Sequence, residues 1–208
     1  MTAGKFLSYM GYEAFDIPNM AQVTYAYNKG DGSADQFNPV PAYHTGVKVD
    51  YATPTYGAGF AVVDSLYGLN NNLKKVGLEA YFTYKGIKDT TIWFGVADDT
   101  ENSAVFYDLW ASYALSKTDS VAFEYIKAES VGTEGLIAYT KALNAKWSLT
   151  SRVSACSPVA GENNTKYTVS PSYTVNDHFI VRGELSYTSS YNTTPSATYL
   201  AVQSIFKF

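Results

Sequence analysis

From Tyr43 to the carboxyl terminus, apolar and polar residues alternate with a period of two, in run after run of similar length. Successive side chains of a strand point to opposite faces, so this beat fixes a β-strand and tells its two faces apart. The runs fall at 43–53, 56–66, 74–85, 89–97, 104–115, 119–127, 134–142, 146–155, 166–174, 178–188 and 197–208, and a shorter one at 2–8 precedes them. No segment keeps a 3.6-residue period. The sequence therefore predicts an all-β chain of about twelve strands.

The faces separate by charge as well as by polarity. Val47, Val49 and Tyr51 alternate with Lys48 and Asp50, and Val76, Leu78, Ala80, Phe82 and Tyr84 alternate with Lys75, Glu79, Tyr81 and Thr83. Tyr107, Leu109, Ala111 and Tyr113 oppose Asp108, Trp110 and Ser112. Val121, Phe123 and Tyr125 oppose Glu124; Leu149 and Val153 oppose Arg152; Val181, Leu185 and Tyr187 oppose Arg182 and Glu184. In the last run Phe208, Phe206, Val202 and Leu200 share a face, with Lys207, Gln203 and Tyr199 on the other. One face is apolar and uncharged; the other carries the charge. A soluble sandwich or barrel would show the same alternation with its apolar face inward, so the pattern alone does not choose the solvent. The runs 56–66 and 134–142 alternate weakly, and Pro171 in mid-run predicts a bulge.

Connection lengths and the chain's end favour a membrane. Tight turns at 54–55, 86–88, 116–118, 143–145 and 175–177 alternate with longer Asn-, Gly- and Ser-rich connections at 9–42, 67–73, 98–103, 128–133, 156–165 and 189–196. Short periplasmic turns and longer outer loops are the pattern of an outer-membrane barrel, whose strands need about 9–11 residues to cross at a tilt. Twelve strands place both ends on the periplasmic side. An aromatic ending such as Ile205-Phe206-Lys207-Phe208 suits an interface between lipid and water. The expectation is one domain over 1–208, an antiparallel transmembrane β-barrel, with 9–42 a long first loop folding into the lumen.

Composition excludes several other classes. No run approaches the roughly 18–20 apolar residues of a spanning helix, and mean hydropathy is −0.14. A net charge of −4 with no basic stripe argues against a nucleic-acid partner. The single Cys156 leaves no intramolecular disulfide. Met1 to Lys5 contains no apolar leader; a processed precursor and a piece of a longer chain both fit.

The segment GKFLSYMGYEAFDIPNM, followed by YHTGVKVDYATPTYG, resembles the beta-barrel porin family of bacterial outer membranes. The matching residues are Gly4-Lys5-Phe6, Gly11-Tyr12-Glu13 and His44-Thr45-Gly46-Val47. The resemblance implies a porin-like role in the bacterial outer membrane and no catalytic residues. It also implies further strands ahead of Gly4, since members of that family are longer.

The candidate functional residues are the charges of the polar face. Lys48, Asp50, Lys75, Glu79, Asp108, Glu124, Arg152, Arg182 and Glu184 would line a pore, where charged side chains set ion preference, and Glu13 and Asp16 would form a loop constriction. The bland alternative pairs the same charges into salt bridges that fill a narrow lumen. The implied partners are outer-membrane lipid and small hydrophilic solutes or ions; a homo-oligomer is compatible. No cofactor is expected. Glu13, Asp16, Asp31 and Asp35 read as loop acids before they read as calcium ligands. An outer-membrane hydrolase would need His44 or His178, and neither lies in a nucleophile motif. His44 reads as a polar strand end and His178 as a solvated turn residue.

Overall fold

The computed structural model describes residues 1–13, 17–26, 40–66, 76–99, 104–129, 131–159, 163–189 and 195–208. Lys75, Asp16, Asp31 and Asp35 lie outside them. Twelve strands form one sheet in sequence order, each antiparallel to the next. They are β1 (Thr2–Leu7), β2 (Tyr43–Ala52), β3 (Tyr56–Val63), β4 (Gly77–Tyr84), β5 (Thr90–Asp99) and β6 (Ala104–Ala114), then β7 (Asp119–Ala128), β8 (Gly132–Ala142), β9 (Trp147–Pro158), β10 (Asn164–Asn176), β11 (Phe179–Thr188) and β12 (Ala197–Phe206). Among the described residues the one helical element is a 3-10 turn at Ile17–Asn19, where Pro18 sets the backbone for a tight turn.

Strand ends differ from expectation mainly on the loop side. β5 continues to Asp99, β7 to Ala128, and β8 starts at Gly132, which shortens those connections to 100–103 and 129–131. The connections 8–42, 64–76, 159–163 and 189–196 stay longer than the turn at 177–178 across the sheet.

The expected bulge at Pro171 is absent. β10 passes Pro171 against Leu149 of β9 without a slip, and its pairs Val169–Leu185 and Ser172–Arg182 with β11 keep one register. The shift falls instead between Thr174 and Asn176, beside the turn. Two local features absorb the proline. Gly183 lies opposite, where a Cβ would stand 3.4 Å from the Pro171 ring, and the Ser170 hydroxyl donates to the Gly183 carbonyl at 2.6 Å, giving that acceptor a donor where the ring has no N–H.

The sheet is inverted relative to a soluble protein. On one face Leu185 is 53% exposed, Ile137 58% and Phe60 50%; on the other Arg152 is 2% exposed, Glu184 1% and Asp108 0%. Burial also settles the phase of the weakly alternating strands. Gly57, Gly59, Ala61 and Val63 of β3 and Glu134, Leu136 and Ala138 of β8 face inward. In water an apolar face of this extent would be unstable, whereas in hydrocarbon it is required.

The outer face is also zoned along the strands. Aromatic pairs gather at the turn side: Tyr51–Tyr56 (6.0 Å), Tyr56–Phe82 (6.5 Å), Trp147–Tyr173 (4.8 Å) and Phe179–Phe206 (4.6 Å). Tyr43, Tyr107, Tyr125, Tyr167 and Tyr187 mark the loop side, and aliphatic residues such as Val49, Val153 and Val169 lie between. The charges on this face keep to strand ends: Asp119 opens β7, Asp98, Lys127 and Lys141 each stand one residue from an end, and Lys5 stands two. Two aromatic belts around an aliphatic band match the two interfaces of a bilayer.

A charge placed in that band should be expelled. Val153, paired with Ile137 and Tyr167 near the middle of β9, is the sharpest position. Val153→Arg is expected to cost about 2–4 kcal/mol of folding into lipid vesicles, read by urea titration. Lys141→Ala, at a strand end, should change stability by no more than about 0.5 kcal/mol. Equal effects of the two would show that the band does not face lipid.

Candidate functional site

The inner face is covered by the chain's own first connection. Residues 8–13 and 17–26 lie against inward side chains of β4, β6, β7, β9, β10 and β11, and their backbone groups bond to those side chains strand by strand. An irregular segment has no ladder of its own, so its N–H and C=O groups need other partners once buried. The wall supplies them.

Wall carboxylates take the donors. Glu79 accepts from the Tyr9 amide at 3.1 Å and the Ser8 hydroxyl at 2.6 Å, Asp108 from the Gly11 amide at 2.7 Å, and Glu124 from the Tyr12 amide. Glu184 accepts from the consecutive amides of Val23 (2.7 Å) and Thr24 (2.8 Å) and from the Thr24 hydroxyl. Two adjacent N–H groups on one carboxylate make an anion nest. Wall cations take the acceptors: Arg182 donates to the Gln22 carbonyl at 3.2 Å, Arg152 to the Thr24 carbonyl at 3.0 Å, and Lys166 to the Tyr25 carbonyl at 3.0 Å and Thr24 Oγ1 at 2.6 Å. Ser154 donates to the Ala26 carbonyl at 2.9 Å.

At the centre stands an ion pair. Arg152 Nη1 lies 2.6 Å from Glu13 Oε1 and 2.7 Å from Oε2, and both side chains are nearly inaccessible. Arg152 Nη2 reaches Thr168 on the neighbouring strand. Glu13 in turn accepts from the Gln22 side-chain amide and from the Ala26 amide at 2.8 Å, so one carboxylate ties both residues to itself. Tyr25 packs against this region. Burial pushes its hydroxyl above the usual tyrosine range, and the Glu13 carboxylate adds to the shift.

Aromatic rings brace the other side. Tyr9 lies 4.6 Å from Tyr81, Tyr81 stacks on Trp93 at 6.0 Å, Trp93 on Trp110 at 5.9 Å, and Trp110 meets Tyr12 at 5.5 Å. The stack depends on two glycines. A Cβ at Gly59 would fall 2.3 Å from the Tyr81 ring, and one at Gly95 would fall 2.2 Å from Trp93 and 2.9 Å from Met10 Sδ. Bare backbone lets both rings lie flat on the sheet, with Met10 close above it.

The expected site residues thus divide. Glu79, Asp108, Glu124, Arg152, Arg182 and Glu184 all point inward, and all are occupied by residues 8–26. Lys48 lies beneath the loop's start, 5.0 Å from the Phe6 ring and 4.8 Å from Tyr9, while Asp50 is exposed at the turn side, 3.5 Å from the Tyr81 hydroxyl. Glu13 meets the wall. Asp16 and Lys75 are outside the described residues. Two inward charges escaped the sequence reading: Glu134, hidden by the weak alternation of its strand, and Lys166, at the edge of its run.

His44 is a polar residue at the start of β2, as expected, and it is buried there. It is 1% exposed, with Nδ1 2.8 Å from the Ser65 carbonyl and Nε2 2.9 Å from Glu79. Ser8, Glu79 and His44 do meet, but the carboxylate stands between hydroxyl and imidazole. A Ser-His-acid triad needs the imidazole in the middle, so this order makes a clasp for the start of the loop. His178 is exposed at its turn, with Nδ1 3.1 Å from the Lys207 carbonyl.

Breaking the central pair tests the arrangement. Arg152→Met leaves Glu13 buried without a cation and is expected to cost about 3–5 kcal/mol. Adding Glu13→Gln should return the greater part of that loss, read as a double-mutant cycle on vesicle-folded protein. Simple additivity would mean the two side chains do not pair.

No family model matches the chain, and no curated protein does. Solved structures match at high probability. A Rhodopseudomonas blastica porin triple mutant aligns with 79% of this chain at a TM-score of 0.63 and 13% identity. The alignment covers 55% of that porin, so the chain spans about half its length. A structure named KdgM porin aligns with 80% of this chain and 92% of its own at a TM-score of 0.50 and 13% identity. Identities this low speak for architecture. By fold, this chain is an antiparallel transmembrane β-barrel of the porin type.

Proposed function

We propose that this chain forms an outer-membrane channel for passive diffusion of small hydrophilic solutes or ions, narrowed from within by residues 8–26. The observation that carries this reading is the inversion of the sheet, with exposed aliphatic residues between two aromatic belts outside and buried charge inside. Porin-type neighbours support it. Such a protein has bilayer lipid as its outer partner and water, ions and solutes as its inner ones, and it carries out no covalent chemistry. A homo-oligomer is compatible with this reading. Ion preference then arises less from rings of free charge than from what the loop leaves open, Asp50 among it.

A second reading has its own support. Six of the nine expected pore-lining residues are bonded to the first connection, as in a packed barrel whose role lies in its outer loops.

Single-channel conductance in a planar bilayer separates the two. The channel reading expects discrete, ohmic steps, and replacement of residues 12–26 by a short Gly-Ser linker should raise the step several-fold. Persistent silence from folded, inserted protein, with and without that replacement, would establish the packed barrel.

A further inference from the structure

Three consecutive turns repeat one pattern. The β4–β5 turn sets Ile87 beside Lys85 and Lys88, the β6–β7 turn sets Leu115 beside Lys117, and the β8–β9 turn sets Leu143 beside Lys146. The lysines are all exposed, and the aliphatic side chains are 52%, 54% and 54% exposed. The turns at 53–55 and 177–178 carry neither lysine nor leucine nor isoleucine. One exposed leucine is ordinary on any surface. The same pair three times over, each beside an exposed aromatic residue (Tyr84, Tyr113, Trp147), marks a built surface. Strands lie about 4.8 Å apart, so these turns follow one another along the rim at about 10 Å.

The surface is positive. The five turns hold four lysines against Asp89 and Asp177, whereas the loop-side connections hold eight acids against three lysines. Nearby Asp119 is already occupied: it accepts from the Ser116 and Thr118 hydroxyls at 2.6 and 2.8 Å and from the Tyr139 hydroxyl, and it lies 3.5 Å from Lys141. Asp89 comes no nearer than 4.0 Å to Lys88, whose side chain is 93% exposed. Lys146 shows the level at which the charge stands. Its Nζ lies 5.8 Å from the centre of the Tyr173 ring, which meets Trp147 at 4.8 Å. Both rings belong to the turn-side aromatic belt, so this ammonium group lies outside the wall, at the height of lipid headgroups.

We propose that these three turns bind anionic phospholipid of the leaflet they meet, with Ile87, Leu115 and Leu143 entering the acyl boundary and the lysines on the headgroups above. An anionic surface attracts lysines held within a Debye length of it. A zwitterionic headgroup offers the same phosphate but carries its own cation, which cancels the attraction. A soluble polyanion would engage the lysines and leave three aliphatic side chains in water. The inference rests on the barrel's place in a bilayer and needs no open lumen.

Trp147 is the reporter, since it is 44% exposed on the outer face while Trp93 and Trp110 stack on each other inside. The full chain is folded into vesicles of equal parts phosphatidylcholine and phosphatidylglycerol, with brominated chains on one lipid or the other. Quenching is measured against a Trp147→Phe background. Phosphatidylglycerol is expected to reach Trp147 at least three-fold more often than phosphatidylcholine, and the preference should vanish in about 1 M salt, where the Debye length is about 3 Å. Lys146→Gln should remove most of the preference, and Lys127→Gln, on the same face at the loop side, should leave it unchanged. If Lys146→Gln does not fold, the lipid ratio and its salt dependence on the unaltered chain decide alone. Quenching in proportion to composition, a preference indifferent to salt or to Lys146→Gln, or equal loss in both variants would overturn the inference. Equal quenching by both lipids would still show an inserted chain, so the lipid preference would fall and the channel reading would stand.

Discussion

Buried charge on the wall and irregular backbone in the interior are each unstable alone, and each is what the other needs. A carboxylate facing a dry interior without donors costs several kcal/mol, as does a loop amide without an acceptor. Set against each other, Glu184 and the Val23 and Thr24 amides cancel both penalties, as do Asp108 and the Gly11 amide. The Arg152–Glu13 pair completes the set by giving a cation to the one acid among the loop's described residues. The path of residues 8–13 and 17–26 is therefore fixed by the order of charges along successive strands rather than by any local preference for turn or helix.

This dependence explains why the wall was legible in the sequence and the interior was not. A strand writes its two faces into alternate positions, so Lys48, Glu79, Asp108, Glu124, Arg152, Arg182 and Glu184 could be assigned inward from spacing alone. Where alternation failed, so did the reading: Glu134 precedes Gly135 and Leu136, and nothing local tells which face is which. The strand-end position of His44 is legible and its burial is not, for a related reason. Its burial comes from Ser65 and Glu79, 21 and 35 residues away, and no local pattern records such a meeting. Residues 9–42 carry no period at all, and the bonds that hold their described part run to positions up to 161 residues distant. The expected bulge failed in another way. Pro171 demands relief from a missing donor, but the relief came from Ser170 and Gly183 across the ladder, not from an extra residue.

The inverted sheet bears on function because it fixes what surrounds the chain before anything is known of what passes through it. A soluble barrel could have the same strand order and alternation, but not aliphatic residues about half exposed between two aromatic belts. The inner face is less decisive, because the charges that could select ions are the ones that hold the loop. Channel and packed barrel are then two settings of one interaction, the strength with which the wall grips residues 8–26.

The grip is uneven around the inner face, and that unevenness bears on where a solute could move. Along β4, β5 and β6 the rings of Tyr81, Trp93 and Trp110 are stacked on one another, with interplanar angles of 13° and 8°. Their faces are spent on each other and on Tyr9 and Tyr12, so they form a brace and present little π surface to a passing molecule. Along β8 and β9 the loop stands off the wall instead, over small side chains, Ala138, Thr140 and Thr150. Small residues leave room, and threonines offer replaceable hydrogen bonds. On the channel reading, a solute follows this side, past Gln22 and the Arg152–Glu13 pair, and the aromatic side keeps the loop from collapsing across its path.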